Sequence, residues 1–347
     1  MANRYWVGGT ADWDGTAGTK WATTSGGAGG ESVPTSADDV FFDANSSGTC
    51  TVVFGNTGAK SVTCTGFTGG LTIGSSLSVY GNYTLSSGMT YTHSGSPLAL
   101  LESGTIITAG KLIGNMSIGF SDDTIVVTLG DNYTNATGRF ISLNAGTFDT
   151  NDFNLTGTSI TTSFGNTSNV TLTLRSSAVT LSSSNPLAIL NYTNLTFDAG
   201  TSQINLSSNV ASIVGTIIGT GHTFYIVSFT GTGTGTKTIS ANNNFFELAS
   251  TTPVAHTITF EGNQGTIGKW SITGSAGNVV TINSSSAGTR RNFTLTNITS
   301  GIDYLNVTDI GELSGDKFAV GLNSTNGGNN SNVYFAGSPP GGAFFLF

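Results

Sequence analysis

Asp149 and Asp152 come nearer than any other pair in this sequence to hydrolytic chemistry. Acid/base cleavage of a glycosidic bond needs two carboxylates at a defined separation, and Glu102, the Asp122-Asp123 pair and Asp198 are the other acids that could supply one. No cluster of Arg, Trp and Tyr accompanies them to line a sugar subsite, and a solvated turn accounts for each. The stretch ADDVFFDANS brings Asp38, Asp39, Asp43 and Asn45 close together as hard oxygen ligands for a cation such as Ca2+. Its spacing is not that of an EF-hand, and Asp capping a turn explains it more simply. His93, His222 and His256 each stand without the i,i+4 partner or neighbouring cysteine of a metal site, so they read as sheet residues. In GTGTGTKT (231–238) a phosphate loop would need Gly where Thr236 stands, and the following KTIS continues as strand. The expectation is a chain with no catalytic residue, no metal site and no cofactor.

Composition explains what such a chain is built from. Charged residues are 9% of the 347, against roughly 25% in ordinary globular chains, while Gly alone contributes 49. Ser, Thr and Asn fill most of the remaining polar positions. Disordered chains are poor in aromatic and β-branched residues, whereas this one has 21 Phe and 9 Tyr, so it is expected to fold. With only 6 Pro and no sustained helical periodicity, many short strands joined by Gly, Asn and Ser turns remain, and the fold class is all-β.

The formal net charge of -8, with 11 Lys and Arg, argues against a nucleic-acid face, which needs clustered cations. Arg290-Arg291 is the one adjacent basic pair in the sequence. No run approaches the ~18 apolar residues of a membrane span, and the opening MANRYW lacks the apolar h-region of a secretory signal. A protein made and left soluble in the cytoplasm is expected. Cys50 and Cys64, both in the context TCT, sit on strands that could be neighbours. In a cytosolic protein they are expected as reduced, half-buried thiols rather than as a disulfide.

Residues 71–94 divide into LTIGSS, LSVYGN, YTLSSG and MTYTHS, each opening on an apolar residue: Leu71, Leu77, Tyr83 and Met89. Repeated short alternating strands of this kind predict a right-handed parallel β-helix, a β-solenoid whose coils bury their apolar positions on one another. A β-sandwich is the runner-up, since a meander would show the same alternation. SPLALL (96–101), NPLAIL (185–190) and TPVAHTI (252–258) read as strand starts or corners. Strands are also placed at 170–174, 222–229, 256–260, 269–274, 278–283 and 291–297. At about 20 to 25 residues per coil and ~4.8 Å per coil, the central part would make a rod on the order of 50 to 60 Å long.

A solenoid end exposes strand edges and core side chains, so it needs a cap. Three of the four tryptophans, Trp6, Trp13 and Trp21, together with Tyr5, lie in the first 21 residues. They are read as an N-terminal aromatic cap, with an exposed carbohydrate- or partner-binding patch as the alternative. Three segments follow: cap and first strands (1–48), solenoid (49–335), and a linker with a hydrophobic tail (336–347). In that tail SPPGG breaks the pattern before Phe344, Phe345, Leu346 and Phe347. These four either tuck back on the last coil or dock into a partner.

The stretch RYWVGGTADWDGTAGTKWATTSGGAGGESVPTSADDVFFDANSSGT resembles an N-terminal motif of Gly/Ser/Thr-rich virion proteins of tailed phages and of β-solenoid surface proteins of environmental bacteria. YLNVTD (304–309) and GLNSTNGGNNSNVYF (321–335) resemble the closing coil of the same group, while the middle matches in style alone. The resemblance implies a structural, non-enzymatic role on a phage particle: tail fibre or spike, head fibre or capsid decoration protein. It implies other virion proteins as partners and, because fibre-like virion proteins are commonly trimers, a homo-oligomer. A host-surface glycan-binding module and a polysaccharide-cleaving tailspike are the two alternatives.

Overall fold

Alternation of apolar and polar residues becomes, in the computed structural model, columns of buried side chains on parallel strands. The structure describes residues 2–13, 19–53, 57–162, 167–191, 193–213, 221–240, 242–298, 301–313 and 318–336. The chain is all-β and divides into two units: Met1–Val179 with Tyr192–Gly200, and Thr180–Asn191 with Thr201–Phe347. Both are parallel β-solenoids. No described helix is long and apolar enough to cross a membrane.

The predicted units of 71–94 are the faces of one coil. Leu71 lies on strand Gly70–Ile73, Leu77 opens Leu77–Val79, Tyr83 opens Tyr83–Thr84, and Met89 is buried just before Thr90–His93. The chain has then made a full turn, because Tyr91 pairs back on Leu71. The return is 20 residues between the hydrogen-bonded Thr72 and Thr92, 23 between Thr105 and Thr128 and 24 between Thr259 and Asn283. These spacings fall in the expected range.

In the first unit one sheet stacks Asn3–Trp6, Asp39–Asp43, Ser61–Thr65, Tyr83–Thr84, Gly104–Ile107, Val126–Leu129, Gly146–Asp149, Val170–Thr173 and Leu195–Asp198 in parallel. Val40, Val62, Tyr83 and Ile106 fall in one register column, and all four are buried. The second unit repeats the arrangement. There, Thr223–Phe229, Asn244–Ser250 and Thr266–Ile272 stack on one face, while Thr236–Ile239, His256–Phe260 and Val280–Ser284 stack on another. Parallel pairing throughout these sheets excludes the β-sandwich, whose strands pair antiparallel.

The expected strands are found, with Thr266–Ile272 and Val280–Ser284 shifted along the sequence. NPLAIL takes the second of the two expected readings, a corner. Pro186 is buried, and the chain turns through a single 3-10 segment, Ala188–Asn191, instead of starting a strand. Proline fixes φ and has no N–H to offer a sheet, so the residues after it satisfy one another locally through Leu190 N–H on Leu187 O.

The N-terminal aromatics form a buried cluster. Trp6, Trp13 and Trp21 are at most 1% exposed, the Trp6–Trp21 and Trp13–Trp21 ring centroids are 5.1 and 4.9 Å apart, and Phe42 touches all three indoles. Strand Trp21–Ala22 pairs antiparallel with Tyr5–Trp6 and so covers the free edge of the sheet. Gly48, at φ +72°, has no Cβ, and the Gly9 backbone packs where one would be. Replacing Phe42 with Ala removes the ring joining the three indoles to Phe67. A loss of about 3–5 kcal/mol is expected, as for buried aromatic truncations, read as a lower urea midpoint. A change below about 1 kcal/mol would contradict the packing described.

Candidate functional site

The acids weighed as a hydrolytic pair are engaged at the corners of the solenoid. Asp149 accepts two hydrogen bonds from Arg175, Nε at 2.7 Å and the terminal nitrogen at 2.6 Å, and a third from the Asn151 N–H. Asp152, at φ +66°, accepts from the Ser176 N–H and hydroxyl. Each carboxylate thus reaches 24 to 26 residues along the chain to the turn of the next coil. Asp122 caps Thr124, Asp123 accepts from Asn169, and Asp198 from the Gly200 N–H, while Glu102 is exposed.

The ADDVFFDANS acids likewise serve separate turns. Asp38 accepts from the Ala2 and Thr35 N–H groups and the Thr35 hydroxyl, Asp39 from the Ser61 hydroxyl, and Asp43 from the Asn45 N–H. Among the described residues, no three His, Cys, Asp or Glu side chains converge as metal ligands would.

A ladder of asparagines that sequence inspection did not single out does the same work. Asn82 Oδ1 accepts from the Thr105 N–H, Asn132 from Asn154, Asn154 from Ala178, Asn244 from Thr266 and Asn263 from Asn292, at 2.8 to 3.0 Å. The signal for it was present. Asn82, Asn132 and Asn244 each stand immediately before a buried aromatic, Tyr83, Tyr133 and Phe245, so the aromatic turns inward and the amide is left at the corner.

The cations and thiols are also placed by the core. KTIS continues as strand, and Lys237 points inward, fully buried, its Nζ donating to the carbonyls of Asn209, Gly235 and Gly233 at 2.8, 3.2 and 3.3 Å. Burial pushes its pKa down. Cys50 and Cys64 are free. They are fully rather than half buried, and they lie in different sheets rather than on neighbouring strands. Burial raises both thiols above their ordinary value.

Of the candidate contact residues, Trp6, Trp13 and Trp21 come together in the interior, which overturns the exposed-patch alternative for the indoles. Tyr5 is half-buried and stacks on Phe41 at 4.8 Å. Phe344, Phe345, Leu346 and Phe347 lie outside the described residues. Among the described residues, one aromatic pair that faces solvent is Tyr225–Phe246, stacked at 4.4 Å with Phe246 54% exposed. The fourth tryptophan, Trp270, is buried in a second cluster with Phe293 and Phe318.

The histidines divide by environment. His93 closes an outer strand and His222 meets the Leu190 carbonyl. His256 is 4% exposed, with its Nδ1 2.8 Å from the Val254 carbonyl and its Nε2 2.9 Å from the Ser250 hydroxyl. Comparison with protein-family models, with curated proteins and with solved structures finds no match.

The Arg175 hydrogen bonds, with the Asn151 N–H, hold the Asp149 carboxyl below its ordinary value against the opposing effect of burial. A depressed carboxylate pKa stabilises the fold above the unfolded value of about 3.9 and loses that contribution as pH falls through the folded value. Asp149→Asn is therefore expected to lower the urea midpoint at pH 7, with the gap from the unsubstituted chain closing towards pH ~3. A gap that is the same at both pH values would contradict the pairing.

Proposed function

We propose that this chain is a structural component on the surface of a tailed phage particle, a tail fibre or spike, head fibre or capsid decoration protein, working by assembly and contact rather than by turnover of a polysaccharide. One observation carries this reading. The residues of the motif that resembles phage virion proteins, Trp6, Trp13, Trp21 and Phe42, are the ones that close the sheet edge of the first unit as a buried cluster. The motif is thus read as the start of a solenoid rather than as a ligand site.

The acids agree with a role that does not cleave a polysaccharide. Asp149 and Asp152 are engaged with Arg175 and Ser176, whereas a glycosidase needs one carboxyl free to protonate the leaving group and one to face the sugar. Partners follow from the same reading: other virion proteins, a second and third copy of this chain, and an apolar pocket for Phe344, Phe345, Leu346 and Phe347 beyond the Pro-Pro-Gly-Gly break. Where the surface meets a host glycan, the Tyr225–Phe246 stack, not the buried indoles, is an aromatic face that can take part.

The test is incorporation. The full chain is expected in purified particles from infected cells and as a trimer of the 35.4 kDa chain in solution at micromolar concentration. Removing residues 338–347 is expected to abolish incorporation while leaving the unfolding midpoint unchanged. A truncated chain incorporated at full level would overturn the docking role of the tail, a strict monomer would overturn the trimer, and absence of the full chain from particles would overturn the virion reading.

A further inference from the structure

Ser250 breaks an apolar column. It ends strand Asn244–Ser250 with Phe229 and Ile272 as its register partners on either side, both fully buried. A hydroxyl at that height needs a partner, and His256 at the start of the next strand supplies it: Ser250 Oγ lies 2.9 Å from His256 Nε2. The other ring nitrogen settles the tautomer. Nδ1 lies 2.8 Å from the Val254 carbonyl, which can only accept, so Nδ1 carries the proton and Nε2 is left as an acceptor. The serine proton is therefore directed at the imidazole at 2.9 Å, with the more distant Phe229 carbonyl, 3.4 Å from Oγ, as its other acceptor.

Burial, with the Lys237 charge as a lesser cause, keeps His256 below the ordinary histidine value. The imidazole is therefore held in its neutral form at neutral pH, with Nε2 unprotonated. Of the pair, Ser250 reaches the surface, while His256 behind it is nearly closed off. Ser250 is part-exposed and lines a cleft of about 170 Å³ with Thr251, Thr252, Pro253, Ser275 and Asn278. The Thr252 N–H donates to Ser250 Oγ at 3.5 Å, and Asn278 is among the residues lining the cleft.

We propose that Ser250 and His256 form a nucleophilic serine site, oriented by the Val254 carbonyl, that accepts small acyl esters of about acetate size. A serine activated by a histidine whose far nitrogen is held by an acceptor is the arrangement acyl transfer requires. Ser250 Oγ attacks the ester carbonyl carbon, forming a C–O bond as its proton passes to His256 Nε2. The tetrahedral intermediate collapses by breaking the bond to the leaving alcohol, which takes that proton. Water then attacks the acyl carbon and gives a proton to Nε2. The acyl–serine bond breaks, Ser250 recovers its proton, and the carboxylic acid leaves. The volume of the cleft sets the acyl size, and its neutral hydroxyl and amide lining fits an uncharged ester. This activity is independent of the virion reading, since it rests on residues outside the resembling motif.

The folded full-length chain is treated with a fluorophosphonate probe, followed by intact-mass measurement and peptide mapping, and is assayed in parallel with p-nitrophenyl acetate. One adduct on Ser250 is expected, absent in Ser250→Ala, with labelling slowed at least ~100-fold in His256→Gln, the scale of a lost general base. Ester turnover should fall in both variants. A wild-type chain that carries no adduct on Ser250 would overturn the proposal, as would His256→Gln labelling at the wild-type rate. If His256→Gln does not fold, wild-type against Ser250→Ala decides alone: equal turnover of p-nitrophenyl acetate by the two would reduce the pair to a structural corner contact.

Discussion

Register is the constraint on which everything else in this molecule depends. Each coil must bring an apolar side chain over the apolar side chain below it, because a slip of one residue would turn every inward position outward. The Val40, Val62, Tyr83, Ile106 column shows the rule obeyed in the first unit, and Lys237 shows its cost in the second. Lysine falls at an inward position between Thr236 and Thr238, and its ammonium is tolerated because three turn carbonyls surround it. Without those acceptors a buried ammonium would be several kcal/mol too costly.

Turns are where register is enforced, and this explains the composition. A parallel sheet leaves the backbone groups at each corner without ladder partners, and buried or half-buried groups of that kind must be satisfied. Asn and Asp do so across coils, as Asn132, Asn154, Asp131 and Asp152 illustrate. Side chains spent in this way are not free for chemistry. Asp149 and Asp152, weighed in the sequence as a hydrolytic pair, prove to be clamps, whereas Ser250 and His256 meet across a corner outside that pattern.

The periodicity of residues 71–94 was enough to read the architecture, because alternation and coil length are local properties. The cap was legible for the same reason: three indoles close together in sequence have few ways to avoid one another. What could not be read was which polar groups meet across coils. Asp149 and Arg175 are 26 residues apart, and nothing in either neighbourhood marks the other. Ser250 and His256 are only 6 apart, yet their contact depends on the corner at Thr251–Ala255, and TPVAHTI by itself places the histidine on a strand without saying what it faces. The buried state of Cys50 and Cys64 was within reach of the alternation. Their separation into different sheets was not, because it depends on where each coil bends.

Corner side chains, and not only the strand ladders, hold the coils in register. Residue-resolved amide hydrogen exchange tests it most directly at Thr105, Asn154, Ala178 and Thr266, whose N–H groups are bonded to asparagine side chains. The account predicts protection comparable to that of the buried strand amides of Val62 and Tyr83. Exchange at these four corner positions as fast as in exposed loops, with the strands still protected, would contradict it.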